Sequence, residues 1–373
     1  MAPVTAPSVL SSSGALLFGF GLLFVAVTAF GAMLLIGLLN PLLQRYALAR
    51  PNARSAHSVP TPQGGGIAIL GALVLAAWFG AAALGVEGPT ALGFGPGSGF
   101  AVDVGDWSRL WTVLGAAVLV GIVGTVDDLR PLPPLPRLAL QFIAMGIAVS
   151  ALPDNARVLP WLPLVIERLL LVVGGAWFIN LTNFMDGMDW LTVAEIVPVT
   201  GALSLFWFFG ALSPPAGLVA LALFGAMLGF APFNKPVARL FLGDVGSLAI
   251  GLGVAFCLFD LATHDGLAAA ILLPLYYIAD SGLTLVWRLR RGDRVWEAHR
   301  HHFYQVAVAR GLTVNQVLAR VLVTNLALAC FAAASLWQES AALSAVDVLL
   351  GTGVVALLLR DLARGRPAVE RAE

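Results

Sequence analysis

The sequence predicts an all-α, polytopic integral membrane protein with about eleven transmembrane helices. Three observations predict it. Of 373 residues, 59% are hydrophobic and 11% are charged, against roughly 25% charged in an ordinary soluble domain. Mean hydropathy is +0.89. The apolar residues fall in long blocks, not in the short alternating segments of a membrane β-barrel. A span needs roughly 20 residues, so little chain is left over. The expectation is one membrane-embedded domain, 1–373.

The first block, 14–39, is far longer than a signal-peptide core, and no basic residue precedes it, so it reads as a retained span. Further blocks follow at 64–86, 109–126, 138–153, 161–179, 191–212, 216–232, 245–262, 267–287, 317–337 and 341–359. The fourth and seventh are short, and Glu167 and Arg168 interrupt the fifth. Cys257 and Cys330 lie in apolar blocks and read as packing residues, not as a disulfide or a metal pair. Eleven spans put the termini on opposite sides. Segments after odd-numbered spans hold 17 of the 21 Lys and Arg residues, whereas the loop 87–107 has Glu87, Asp103 and Asp106 and no Lys or Arg. Basic loops stay inside. This side and the C-terminus are therefore expected in the cytoplasm, and the N-terminus outside.

Five polar segments fall on that basic side. The first runs from Arg54 through His57, Pro60, Thr61 and Pro62 to Gly64-Gly65-Gly66. Glycines admit close backbone approach, and consecutive N–H groups can cradle phosphate; the alternative is a turn opening the second span. No Gly-Lys-Ser/Thr ending follows, so an NTPase P-loop is excluded. The second is Asp127-Asp128-Leu-Arg130. Adjacent carboxylates at a membrane surface repel and call for a compensating metal, proton or cation; Arg130 and Arg137 are the bland answer. The third is Asn180-Leu-Thr-Asn183-Phe-Met-Asp186-Gly187-Met-Asp189, with both amides on one helical face and Gly187 expected to break the helix. Its hard oxygen ligands suit Mg²⁺ or Mn²⁺.

The fourth segment runs from Asn234-Lys235 through Arg239 to Gly243-Asp244-Val-Gly246-Ser247. Asp244 is either a favourable carboxylate at a helix start or a metal ligand beside an anion site served by Lys235 and Arg239. The fifth, Arg288 to Arg310, holds His299-Arg300-His301-His302. No cysteine is near, so imidazole and guanidinium contacts to phosphate fit better than zinc; a basic loop on anionic lipid is the alternative. Asp280 lies inside the ninth span with its partner undetermined. Together the segments carry the equipment of metal-assisted phosphoryl transfer, which is mostly positioning and charge neutralisation.

Five matching segments appear in family order: Pro60-Thr61-Pro62-Gln-Gly64-Gly65, Asp127-Asp128, Asn180-x-x-Asn183-x-x-Asp186-Gly187-x-Asp189, Gly243-Asp244-x-Gly246-Ser247 and His299-Arg300-x-His302. By them the chain resembles the polyprenyl-phosphate N-acetylhexosamine-1-phosphate transferase family. The resemblance implies transfer of a sugar 1-phosphate from a UDP-N-acetyl aminosugar to undecaprenyl phosphate, with UMP leaving, at the cytoplasmic face of the bacterial inner membrane. It implies Mg²⁺, with Mn²⁺ as substitute. Asp244 would be the metal ligand. Asp127 and Asp128 would be the acidic pair near the lipid phosphate, Asp127 being the candidate base. Asn183 and Asp186 would contact nucleotide or metal, and His299, Arg300 and His302 the pyrophosphate or sugar. His57, Thr61, Asn180, Asp189, Lys235 and Arg239 complete the expected substrate contacts. A lipid phosphate is already anionic, which favours direct in-line attack over an aspartyl intermediate.

The chain departs from the family pattern, and the Lys-rich entry that the peptidoglycan enzyme has before Pro-Thr is absent. Trp190 follows Asp189 where the family often has glycine, and Val59 stands where the peptidoglycan enzyme often has glycine. The stretch His299-Arg-His-His-Phe-Tyr304-Gln305 resembles the O-antigen initiating branch more than the phospho-N-acetylmuramoyl-pentapeptide transferases. N-acetylglucosamine, N-acetylfucosamine and N-acetylquinovosamine remain open as the sugar, and a homodimer remains open as the assembly; no nucleic-acid partner is expected. The main rival is a transporter, whose site would lie at mid-membrane, where only Asp260 and Asp280 stand out.

Overall fold

The computed structural model describes residues 12–49, 60–84, 104–294, 299–338 and 340–365. Helix α1 (Ser12–Tyr46) leads through β1 (Leu48–Ala49) and β2 (Thr61–Pro62) to α2 (Gly65–Leu84), α3 (Val104–Leu129) and α4 (Pro134–Ser150). Then come α5 (Leu164–Met185), α6 (Leu191–Phe208), α7 (Pro214–Asn234) and α8 (Asp244–Thr263). The remainder is α9 (Leu267–Leu272), α10 (Leu275–Arg290), α11 (Phe303–Ala309), α12 (Val314–Trp337) and α13 (Ala341–Arg364).

The all-α polytopic expectation holds. Among the described residues nine helices are long and apolar enough to cross a membrane: α1, α2, α3, α5, α6, α7, α8, α12 and α13. The fourth predicted span is the shorter apolar α4. The ninth, 267–287, is broken between α9 and α10 at Leu273 and Pro274, because proline lacks the N–H that would continue the helix. Several helices overrun their predicted ends: α3 continues through Asp127 and Asp128, and α5 through Asn180 and Asn183. Hydropathy stops at the first polar residue, whereas backbone hydrogen bonding does not. Glu167 and Arg168 do not interrupt α5. Glu167 accepts hydrogen bonds from Arg157 and the Val158 N–H, at 2.6 and 2.7 Å, and Arg168 donates to the Pro153 carbonyl at 2.6 Å.

Helix α8 is the axis of the bundle. In its most apolar window 94% of residues are buried, against 22% in α1. Helices α2, α3 and α5 pack on it, and glycines set how closely. A Cβ at Gly66 would lie 2.1 Å from the Gly246 Cα, and one at Gly124 would lie 2.4 Å from the Val245 nitrogen. Both α2 and α3 therefore touch the first turn of α8 backbone to backbone, the use small residues have between membrane helices. The Gly64–Gly66 run is not a phosphate cradle: the N–H groups of Gly65 and Gly66 donate to the carbonyls of Phe241 and Leu242, both at 2.9 Å. That fixes the start of α2 beside the strand-like segment leading into α8.

The two mid-span carboxylates have structural partners. Asp260 accepts from the N–H and hydroxyl of Ser213, at 2.8 and 2.7 Å, and so caps α7. Asp280 accepts from the Phe303 N–H at 3.1 Å and meets His302 Nδ1 at 3.0 Å. Of the cysteines, Cys257 is buried as expected, but Cys330 is exposed on α12.

Candidate active site

At one end of the bundle α3, α5 and α7 finish and α8 and α12 begin. Their ends enclose a cavity of about 630 Å³ lined by the carboxylates of Asp128, Asp186, Asp189 and Asp244. Four of the five polar segments send residues to this place or to its wall.

Asp244 is the first residue of α8. Its Oδ1 accepts from Asn183 Nδ2 at 2.8 Å, and the same amide donates to Ser247 Oγ at 2.9 Å. Its Oδ2 lies 3.6 Å from Arg137 Nη1, and the side chain keeps 29% of its exposure. One oxygen is thus fixed and the other faces a cation and the cavity. Asp128 spends its carboxylate on the same helix start, accepting from the N–H groups of Asp244 and Val245 at 3.1 and 3.4 Å. Gly243 is demanded here twice. Its φ is +76°, and a Cβ would lie 2.6 Å from Asp128 Oδ2. Asp127 accepts from the Leu132 N–H in the α3–α4 turn and from Arg137 Nη1, both at 2.6 Å, and its carboxyl group also lies in hydrogen-bond contact with that of Asp244. It is an anchor for Arg137.

Asp186 follows the last turn of α5. Thr192 donates to its Oδ1 at 2.6 Å. Burial, with the negative charges of Asp128 and Asp189, pushes its carboxyl up to about 7, against the Thr192 hydrogen bond. Asp189 accepts from the Ala238 N–H at 2.9 Å, which ties the α5–α6 loop to the α7–α8 loop. Helix α5 ends at Met185, so Gly187 follows the break and does not make it. Gly187 instead seats against the segment after α10: a Cβ there would lie 2.2 Å from the Tyr304 hydroxyl. Burial pushes the Tyr304 phenol well above its ordinary range, so it is neutral at the site's edge.

Other expected site residues stand elsewhere. Asn180 donates to Gln141 Oε1 at 2.5 Å and to the Ala176 carbonyl at 2.8 Å, bracing α5 on α4. Thr61 is buried in the two-residue strand pair. Lys235 and Arg239 are exposed and do not line the cavity; Arg239 donates to the Pro232 carbonyl at 3.3 Å and lies over Phe233. His302 is buried against Asp280 and caps α11. His299 stacks on His302 with ring centres 4.9 Å apart. Burial, His302 and Arg288 lower its imidazole to about 4, so at neutral pH it offers hydrogen bonds without charge. Arg300 is exposed. His57 lies outside the described residues.

Five further residues contribute without standing out in the sequence. In sequence Arg137 stands only as a foil for the acidic pair, yet it reaches both Asp127 and Asp244. Gln63 donates to the Asp128 carbonyl at 3.1 Å and lines the cavity. Thr313, Val314 and Asn315 form the far wall at the start of α12. Thr313-x-x-Gln316 is a capping box, visible as a pattern. The buried polar face of α10 (Tyr276, Tyr277, Asp280, Ser281, Thr284 and Arg288) was also legible, as polar residues recurring at helical spacing.

Among the described residues no group of three His, Cys, Asp or Glu side chains stands ready to hold a metal ion. Mg²⁺ does not require one, since one or two carboxylates with water and substrate phosphate commonly suffice. Asp244 and Asp186 offer hard oxygens in one cavity and fit that donor chemistry.

Residues 110–262 match the family described as glycosyl transferase family 4. The chain is similar to a decaprenyl-phosphate N-acetylglucosaminephosphotransferase of Mycobacterium leprae, 28% identical over 91% of this chain and 89% of the relative. It is also similar to a phospho-N-acetylmuramoyl-pentapeptide-transferase of Mycolicibacterium vanbaalenii, 30% identical over 66% of this chain and 76% of the relative. The chain belongs to the polyprenyl-phosphate hexosamine-1-phosphate transferase family. A Mycobacterium tuberculosis protein named like the first relative is 29% identical over 83% of this transferase and 80% of its own length. The matched region spans α3 to α8 and so contains Asp127, Asp128, Asp186 and Asp244, whereas the histidine segment of the transferase lies beyond it.

Proposed function

We propose that this multi-pass transferase moves an N-acetyl aminosugar 1-phosphate from a UDP-sugar to undecaprenyl phosphate, releasing UMP. The reaction would lie on the cytoplasmic face of the bacterial inner membrane and begin an envelope glycan. O-antigen is the polymer to which the histidine segment points. The observation that carries this reading is the single cavity at the helix ends, with Asp128, Asp186, Asp189 and Asp244 on its walls. The excess of Lys and Arg on the same side of the chain supports the cytoplasmic placement.

Asp244 and Asp186 would hold Mg²⁺, or Mn²⁺ in its place. Bound there, the ion would neutralise the diphosphate and stabilise UMP as leaving group. The protein's part is positioning. Asn183 fixes one oxygen of Asp244 and turns the other toward the cavity. Asp128 locks the first turn of α8 to α3, so Asp244 moves only if α8 moves. Asp127 holds Arg137 beside Asp244, and its guanidinium is the cation placed to meet an incoming lipid phosphate. That phosphate is anionic at neutral pH and would attack in line without a protein base.

The test uses purified protein in detergent with undecaprenyl phosphate, Mg²⁺ and a panel of UDP-N-acetyl sugars, following UMP and lipid-linked product. Product with one sugar, lost in a folded Asp244→Ala variant, is expected. Folded protein that releases no UMP with any sugar would overturn the reading.

A further inference from the structure

Thr192 is 1% exposed, on the first turn of α6. Its hydroxyl has one proton, and the acceptor is Asp186 Oδ1 at 2.6 Å. The fully buried Tyr277 of α10 donates its own hydroxyl to Thr192 Oγ1 at 3.4 Å. A hydroxyl that receives a hydrogen bond from one side is turned to give its proton to the other. The sense of the relay is therefore fixed: Tyr277 to Thr192 to Asp186. Its result is that one lone pair of Asp186 Oδ1 is engaged inside the protein. The carboxylate borders the cavity, and Oδ2 is the oxygen left for whatever binds there.

This has a consequence for which ion the cavity accepts. Ca²⁺ readily takes both oxygens of a carboxylate in a loose shell of six to eight ligands, whereas Mg²⁺ demands near-octahedral geometry with single oxygens. Resting on the reading of Asp186 as a metal ligand, we propose that Thr192, oriented by Tyr277, is a positioning residue that makes Asp186 a one-oxygen ligand and so biases the cavity toward Mg²⁺ and Mn²⁺ over Ca²⁺. Partners behind a ligand commonly change metal affinity by roughly 10–100-fold when removed.

The probe is Mn²⁺ alone, bound to the purified full-length chain without nucleotide. It is followed by electron paramagnetic resonance and competed with Mg²⁺ or Ca²⁺. Wild type should bind Mn²⁺ and release it to Mg²⁺ more readily than to Ca²⁺. Thr192→Val, which keeps the shape and loses the hydroxyl, should bind Mn²⁺ roughly tenfold more weakly and shift the competition toward Ca²⁺. Thr192→Ser should restore both. Tyr277→Phe should shift the competition in the same direction by less, and it answers the question if Thr192→Val does not fold. Asp186→Asn separates the two levels of the argument. If it loses Mn²⁺ while Thr192→Val binds and discriminates as wild type does, the positioning role is overturned and the metal reading stands. If Asp186→Asn binds like wild type, or wild type binds no Mn²⁺, the metal reading falls and the positioning role with it.

Discussion

Gly66→Ala adds one methyl group where α2 crosses the first turn of α8, and it should nearly silence the enzyme. The new Cβ would stand 2.1 Å from the Gly246 Cα and 2.2 Å from its nitrogen. Carbon–carbon contact is comfortable at about 3.5–4.0 Å, so α2 and α8 must separate by about 1.5 Å. No flexible side chain lies between them to absorb the change. Gly246 is two residues beyond Asp244 on the first turn of α8, so the displacement falls on that carboxylate and on the two N–H groups held by Asp128. Misplacing a catalytic group by 1 Å can cost roughly 10²-fold, and a loss of at least that size in kcat is expected. The assay is UMP release at saturating substrates, with thermal unfolding followed in parallel to score only folded protein. Gly115→Ala is the control, since a Cβ there meets nothing within 4 Å; it should retain its rate. A folded Gly66→Ala protein with wild-type kcat would refute the claim that the glycine crossing sets the position of Asp244.

Three other perturbations probe separate parts of the site. Asp186 sits near 7 because it is buried among like charges, and an ion-binding carboxylate must be ionised. Thus kcat/KM should rise with pH through about 7 and flatten above, and added Mg²⁺ should move the inflection lower; a flat profile from pH 6 to 8 would contradict this. The sign for folding is opposite. Native Asp186 keeps a proton that the unfolded chain has lost, so metal-free stability should fall from pH 4 to 7, as read from melting midpoints. Asp127→Asn and Arg137→Ala should each lower kcat/KM about tenfold, and the double variant should do little more, because the pair acts as one unit; additive losses in steady-state kinetics would separate them. Asn180→Ala should cost about 1 kcal/mol of stability and leave kcat within about twofold. A tenfold kcat loss in folded protein would return Asn180 to the site.

The spans were legible because lipid imposes long apolar runs, and the site's address was legible because ionisable groups do not otherwise gather at one end of such runs. Which oxygen does what was not legible. Asp127 and Asp128 are neighbours in sequence, yet one turns into the α3–α4 loop and the other caps α8. Adjacent side chains on a helix diverge by about 100°, and only the neighbouring helices decide which of them meets the cavity. Asn180 and Asn183 share a face as predicted, but three residues of rise carry Asn180 away from the helix end and onto Gln141. Lys235 and Arg239 show the limit of charge as a guide. Proximity in sequence to Asp244 did not bring them to the cavity, whereas Arg137, on α4 with three whole helices between it and α8, reaches the Asp244 carboxylate through the fold.

Trp190 shows how a departure from a family pattern is accommodated. The position has φ +64°, the left-handed region that glycine enters freely and that costs other residues roughly 1–2 kcal/mol. The strain is needed, because this residue turns the chain from the Asp186–Asp189 loop into α6 and so sets where Thr192 begins its helix. A tryptophan here offsets part of the cost with an indole contact that glycine cannot make. Its indole N–H donates to the Ala231 carbonyl at 2.7 Å, while its backbone N–H donates to Asn234 Oδ1 at 2.8 Å. Each such bond contributes roughly 1 kcal/mol. Asn234 also donates to the Leu240 carbonyl at 3.0 Å, so the same side chain governs the loop that delivers Asp244. The backbone conformation that glycine would permit is here enforced by α7, and the two loops carrying Asp186 and Asp244 become one mechanical unit through a residue that touches neither carboxylate.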